Sequence, residues 1–278
     1  MVDHHPARKF DACGDVRRQL EEVKLAERIG IDQIWFFEHH LQPTAPVPSP
    51  NLLIAAASRT TRHIRFSSMV NILPFRHPLL VAEEAAMLDN LTGGRLDMGL
   101  GRGLRPPEFA AFGVDQQQSR EMFLEAFDII QRVWADENFV HHGKYWTVRK
   151  EAPLSPPLVQ HPHPPFLVSA QSEESLRWAA EHDIPFAQID SLAEQARRDQ
   201  ALYREVQTAH GYAPRPRPRP MSRRPPVRLS SIAASSATSS GWRNGRMLTM
   251  LAKRICRVLC AAAAISRLGD GTGAVGCR

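Results

Sequence analysis

Apolar positions along most of the chain alternate between two periods. In DVRRQLEEVKLAERIG, residues 15–30, Val16, Leu20, Val23 and Ala26 share one helical face. Asp15 stands where an N-cap belongs and Gly30 where a helix stops. IDQIWFF at 31–37 then reads as a buried strand. The alternation predicts a helix over 51–61, a β-branched strand over 64–74 (IRFSSMVNILP), a glycine-closed helix over 77–94 and a strand over 95–101 (RLDMGLG). SREMFLEAFDIIQRVW at 119–134 is strongly amphipathic. An irregular stretch follows, with turn clusters HHGKYW at 141–146 and APLSPPLVQHPHPP at 152–165. The pattern resumes as strand 166–170, helix 172–182, strand 184–189 and helix 191–211.

Strands separated by helices predict parallel βαβ units with right-handed crossovers, and their repetition predicts an α/β fold of the (β/α)8 TIM-barrel type. GLGRGL carries Gly99, Gly101 and Gly103 without the GxGxxG spacing, so a dinucleotide fold has little support. Residues 1–14 offer no apolar run for a leading strand, and no seventh or eighth strand is recognisable after Gly211. The barrel is therefore expected to be incomplete, lacking its first strand and last two βα units. Such a sheet has two open edges, which favour a second chain, identical or different, beside it.

Composition divides the chain. Its 278 residues and 43% hydrophobic content suit a globular core. The net charge of +6 hides two regions. From Ala213 to Arg278 there are twelve Arg and one Lys against one Asp, whereas the rest holds 22 basic and 28 acidic residues. APRPRPRPMSRRPP and LSSIAASSATSSGWRNG have low-complexity and linker composition. The expected organisation is a disordered N-terminus over 1–14, a partial barrel over 15–212 and a disordered basic tail over 213–278. A tail so unlike its body fits translation out of the original reading frame, and rereading the coding DNA past codon 212 tests that. It lacks aromatic interleaving and a docking motif, so no specific nucleic-acid partner is expected. The first twenty residues hold no signal-peptide core, and VLCAAAAI is far too short to span a membrane. Cysteines 13, 256, 260 and 277 form neither a CxxC pair nor a metal-ligand spacing. A cytoplasmic chain with reduced thiols, no metal and no membrane partner is expected.

In a parallel barrel the reactive groups gather where strands end. Glu38, His39 and His40 follow IWFF directly, and histidine suits acid–base work at neutral pH. A solvated loop with a structural carboxylate is the alternative. Met69, Val70 and Asn71 lie late in the third expected strand; core packing accounts for Met69, but a buried Asn71 amide needs partners. In GLGRG the glycines permit close backbone approach, and Arg102 is either a planar cation suited to a phosphate or a surface residue of a turn. In SAQSEESLRW, Ser172 and Ser175 sit at a strand-to-helix junction whose free N–H groups favour an anion. An ordinary N-cap with an acidic first turn fits as well, and Glu173 and Glu174 would repel a phosphate if they pointed inward.

The run from EHHLQPTAP at 38 to GLGRG at 103, then WADENFVHHGKYWTV and PPLVQHPHPPFLVSAQS, resembles the bacterial luciferase-like, flavin-dependent monooxygenase family. The resemblance covers roughly 15–212. It implies a TIM barrel that binds reduced flavin, usually FMN, uses oxygen and oxidises a small organic substrate. A separate flavin reductase is implied too, since no NAD(P)H site is visible. By this resemblance His39 matches the family's catalytic histidine, His40 lines the same pocket, and Glu38 fixes a ring nitrogen or shapes the site. Met69–Val70 matches a non-proline cis peptide against the flavin ring, with Asn71 beside it. Arg102 becomes a ligand of the ribityl-phosphate chain, and Gln171, Ser172 and Ser175 become phosphate-site residues. A deazaflavin-dependent oxidoreductase of the same barrel and a non-catalytic remnant are the alternatives; the EHH triplet favours FMN.

Overall fold

The computed structural model describes residues 16–42, 47–188 and 193–213. The expectations for 1–14 and, past Ala213, for the basic tail fall outside these residues. In chain order the elements are α1 (Val16–Arg28), β1 (Gln33–Phe36), α2 (Pro50–Ser58), β2 (Arg65–Ser68) and β3 (Asn71–Ile72). After a 3-10 turn over Leu73–Phe75 come α3 (Pro78–Thr92), β4 (Leu96–Gly101), α4 (Pro106–Phe112) and α5 (Ser119–Ala135). The remainder is β5 (Phe139–His142), β6 (Thr147–Lys150), β7 (Phe166–Ser169), α6 (Glu173–Glu181), β8 (Phe186–Ala187) and α7 (Ala193–Ala209).

The main sheet runs β1-β2-β4-β7-β8, with β3 also against β4, and every pairing in it is parallel. Helices link consecutive strands, so five neighbouring positions of a barrel wall are filled among the described residues. Side chains alternate across this wall. Phe36, Phe66, Leu96, Met98, Leu100, Phe166 and Val168 face the helices and pack with Ile54, Val81, Phe123, Phe127 and Ile130 in one buried core. On the opposite face Arg65 forms an ion pair with Asp97, and its guanidinium also donates to Gln160 Oε1 at 3.1 Å. Trp35 and, just beyond β1, Phe37 lie on that face, 43% and 41% exposed.

Three stretches depart from the sequence expectation. The strand expected over 64–74 is two short strands, β2 and β3, separated by the Met69–Val70 peptide, which is cis. Residues 106–112 form a helix, α4, that the periodicity did not predict. The turn cluster expected at 141–146 belongs to an antiparallel hairpin, β5–β6, whose two strands the periodicity did not predict. Glu125 of α5 holds that turn by accepting from Trp146 N at 3.0 Å, Tyr145 N at 3.1 Å and the His141 ring at 3.2 Å. The proline-rich loop after the hairpin is fixed similarly. Asp89, fully buried in α3, accepts from Val159 N at 2.7 Å and Gln160 N at 2.8 Å.

Close packing in the wall depends on glycine. A Cβ on Gly99 would lie 1.7 Å from the Ser68 carbonyl oxygen, and one on Gly101 would lie 2.2 Å from a Val70 methyl. No helix among the described residues is long and apolar enough to cross a membrane.

Candidate functional site

The strand ends form one continuous rim. β1 leads into Glu38, which is 5% exposed. One carboxylate oxygen of Glu38 lies 3.1 Å from His40 Nε2, and the other accepts from the backbone N–H of Ile72 at 3.4 Å. The end of β1 is thereby tied to β3, two positions beyond Val70. A second carboxylate serves the other imidazole. Glu108 of α4, 2% exposed, places Oε1 3.3 Å from His39 Nδ1 and accepts from the His40 backbone N–H at 3.1 Å. Arg105, one turn earlier, has Nε 3.8 Å from the same oxygen. Aromatic rings wall this cluster: Phe112 stands edge-on to the His40 ring at 4.6 Å and stacks on Phe75 at 4.6 Å.

The chain then reaches the Met69–Val70–Asn71 segment, all buried. Asn71 finds the partners its burial requires: its amide nitrogen donates to Ser68 Oγ at 2.7 Å and Gly99 O at 3.3 Å, and its oxygen accepts from Arg76 at 3.2 Å. Val70 presses on Gly101, and Gly101 opens a second part of the rim.

That part is a pocket lined by Leu100, Gly101, Arg102, Arg120, Phe123, Val168, Ser169, Ser175 and Trp178. Arg102, just past β4, and Ser175, in the first turn of α6, both line it. Arg120 and Ser169 join them, and sequence reasoning missed both. Burial lowers the Arg120 guanidinium below its ordinary value; Arg102 pushes the same way, and Glu174 opposes it. Glu174 approaches Arg120 at 3.5 Å. Glu173 turns along its own helix to Arg177 at 2.7 Å.

The two readings of Ser172 and Ser175 now separate. Ser172 Oγ accepts from Ser175 N at 3.3 Å, so Ser172 is the N-cap of α6, while Ser175 also lines the pocket. Gln171 is exposed and is not among the lining residues. Among the described residues, no group of three or more His, Cys, Asp or Glu side chains could hold a metal ion.

Comparison with known proteins places the chain in a family. The sequence model for luciferase-like monooxygenases matches residues 2–250. The oxygenase component of a flavin-dependent trigonelline monooxygenase from Acinetobacter baylyi is 33% identical over 165 residues, 59% of this chain and 45% of that protein. The crystal structure of monooxygenase RslO1 from Streptomyces bottropensis superposes with a TM-score of 0.66 at 32% identity, over 72% of this chain and 63% of that one. The FMN complex of the oxygenating constituent of 3,6-diketocamphane monooxygenase from Pseudomonas putida also gives 0.66, at 28% identity, over 72% and 59%. The chain spans about half the length of the curated relatives it matches. With its parallel half-barrel wall and these matches, the chain belongs to the luciferase-like monooxygenase family.

Proposed function

We propose that this chain is the oxygenase part of a flavin-dependent monooxygenase, using reduced FMN and oxygen to oxidise a small organic substrate. The observation that carries this reading is a continuous rim on which a cationic pocket adjoins two carboxylate–imidazole pairs across the Met69–Val70 segment. The residues present fit the cofactor. Arg102, Arg120 and the hydroxyls of Ser169 and Ser175 form a donor set suited to a phosphate dianion, which would compete for Arg120 with the Glu174 carboxylate 3.5 Å from it. Gly101 beside them makes room for the Val70 side chain, whose methyl stands 2.2 Å from where a Cβ would be. Met69, Val70, Ile72 and Ala187, with Leu167 packed against them, form a small buried apolar cluster against which a flat ring would rest, and Ser68 holds the Asn71 amide at 2.7 Å.

Reduced FMN, when bound, supplies two electrons for oxygen activation, one oxygen atom passing to substrate and the other to water. His39 holds and moves the proton at this end of the rim, and His40, held by Glu38, stands beside it. The stacked Phe75 and Phe112 rings present an apolar wall beside His40, suited to a non-ionic organic substrate. The electrons would come from a separate flavin reductase. The trigonelline relative, itself named an oxygenase component, supports that division of labour.

Titration of the purified protein with FMN tests the reading. Wild type should quench flavin fluorescence saturably. Arg102→Ala and Arg120→Ala should each weaken binding about tenfold or more, as expected for loss of a charge-assisted contact. His39→Ala should leave affinity unchanged and slow turnover with reduced FMN on the order of a hundredfold. A folded wild type that ignores FMN overturns the proposal, and saturable deazaflavin binding in its place would move the chain to that alternative.

A further inference from the structure

We propose that Glu108 is a positioning residue that selects the tautomer of His39. The proposal rests on the functional reading above for its consequence, though not for its geometry.

Glu108 stands in the first turn of α4, where an acidic residue commonly serves its own helix N-terminus. Here the carboxylate reaches across to the β1 end, 69 residues earlier in sequence. Its Oε1 already accepts the His40 backbone N–H at 3.1 Å. An ionised carboxylate can only accept, so the ring nitrogen 3.3 Å away, His39 Nδ1, must carry the hydrogen. The lone pair, and with it the site that takes up and releases a proton, is then confined to Nε2 of His39.

The neighbouring ring is fixed the opposite way. His40 meets Glu38 through Nε2, so Nε2 carries its hydrogen and Nδ1 keeps the lone pair. Two adjacent histidines, each on its own nearly buried carboxylate, are thus held in opposite tautomers. An imidazole whose wrong nitrogen is protonated loses catalytic competence even when its position is unchanged. Glu38 and Glu108 therefore divide the roles of the two rings, and Glu108 assigns His39 its active nitrogen.

The experiment uses the full chain with 15N-labelled histidine, His39 being assigned by loss of its signals in His39→Ala. At a pH where the ring is neutral, wild-type His39 should show the Nδ1–H pattern, the form that a free imidazole in water disfavours. Glu108→Leu should return His39 to the Nε2–H form. Glu108→Gln, whose side-chain oxygen can still accept both N–H groups, should keep the wild-type pattern. In turnover with reduced FMN, Glu108→Leu should reproduce the loss seen in His39→Ala, on the order of a hundredfold. The double variant should lose no more than either alone, and FMN affinity should hold in all. A wild-type His39 in the Nε2–H form, or losses that multiply in the double variant, would overturn the proposal. Failure of wild type to bind FMN would remove the functional reading alone, since the nitrogen signals still decide what Glu108 does.

Discussion

Gly99 sits on β4 with the Ser68 carbonyl where its side chain would be. That neighbour is backbone in the middle of a parallel wall and cannot swing away, so Gly99→Ala should cost at least about 3 kcal/mol, read from the urea midpoint. Gly30→Ala is a contrasting control: it has open space and strain only from φ +84°. The glycine-and-arginine run after β4 was conspicuous in the sequence because residues of those types at a strand end are unusual. Arg102 was recognised for that reason, and Ser175 for its place at a strand-to-helix junction. Arg120, Ser169 and Glu108 were not, because each is ordinary in its local setting: a basic residue in an amphipathic helix, a serine ending a strand and a first-turn acid. What singles them out is the residue they meet across the rim, and that meeting depends on the crossovers.

Elements are clipped together by single carboxylates that gather backbone amides. Glu27 near the end of α1 accepts from Arg62 N at 2.9 Å, His63 N at 3.3 Å and Ile64 N at 3.4 Å, fastening α1 to the entry of β2. Desolvation pushes this carboxyl up, but the three N–H bonds together with His63 outweigh it and hold the value below the usual range. A lowered folded value means stabilisation that is complete above the pH at which an unfolded glutamate titrates. It is lost as pH falls through the folded value. Glu27→Gln should therefore cost about 1 kcal/mol at neutral pH and show a shallower acid limb in a denaturation series, Glu27 being partly exposed and solvent-screened. Asp89→Ala should cost more, about 2 kcal/mol, since it strands three half-buried donors, Val159 N, Gln160 N and Gln160 Nε2, and limited proteolysis should then cut within 152–165 first. The main helices and strands were legible through periodicity. α4 was not, because its seven residues bury only Glu108 and Phe109, too few to print a period. The β5–β6 hairpin was hidden for a related reason: its turn chemistry was visible, but Glu125, which organises it, lies in the preceding helix.

At the scale of the molecule the two faces of the wall differ. The helix side is sealed by a continuous apolar core, whereas the other carries polar pairs at one level and exposed rings at the next. Among the described residues β1 and β8 end the sheet, so concentration-dependent association through these edges is expected, and light scattering over a dilution series should detect it. The parallel α/β wall was legible from alternation alone. How far round the wall continues was not, because closure depends on strand number and tilt, which no local period encodes. Trp35, standing half-exposed on the uncovered side at the first strand, carries one further consequence. Its indole is a built-in optical gauge. Whatever comes to lie over that side, whether cofactor, substrate or another polypeptide, should move its emission to shorter wavelength, and subtracting the spectrum of a Trp35→Phe protein isolates that signal without any attached dye.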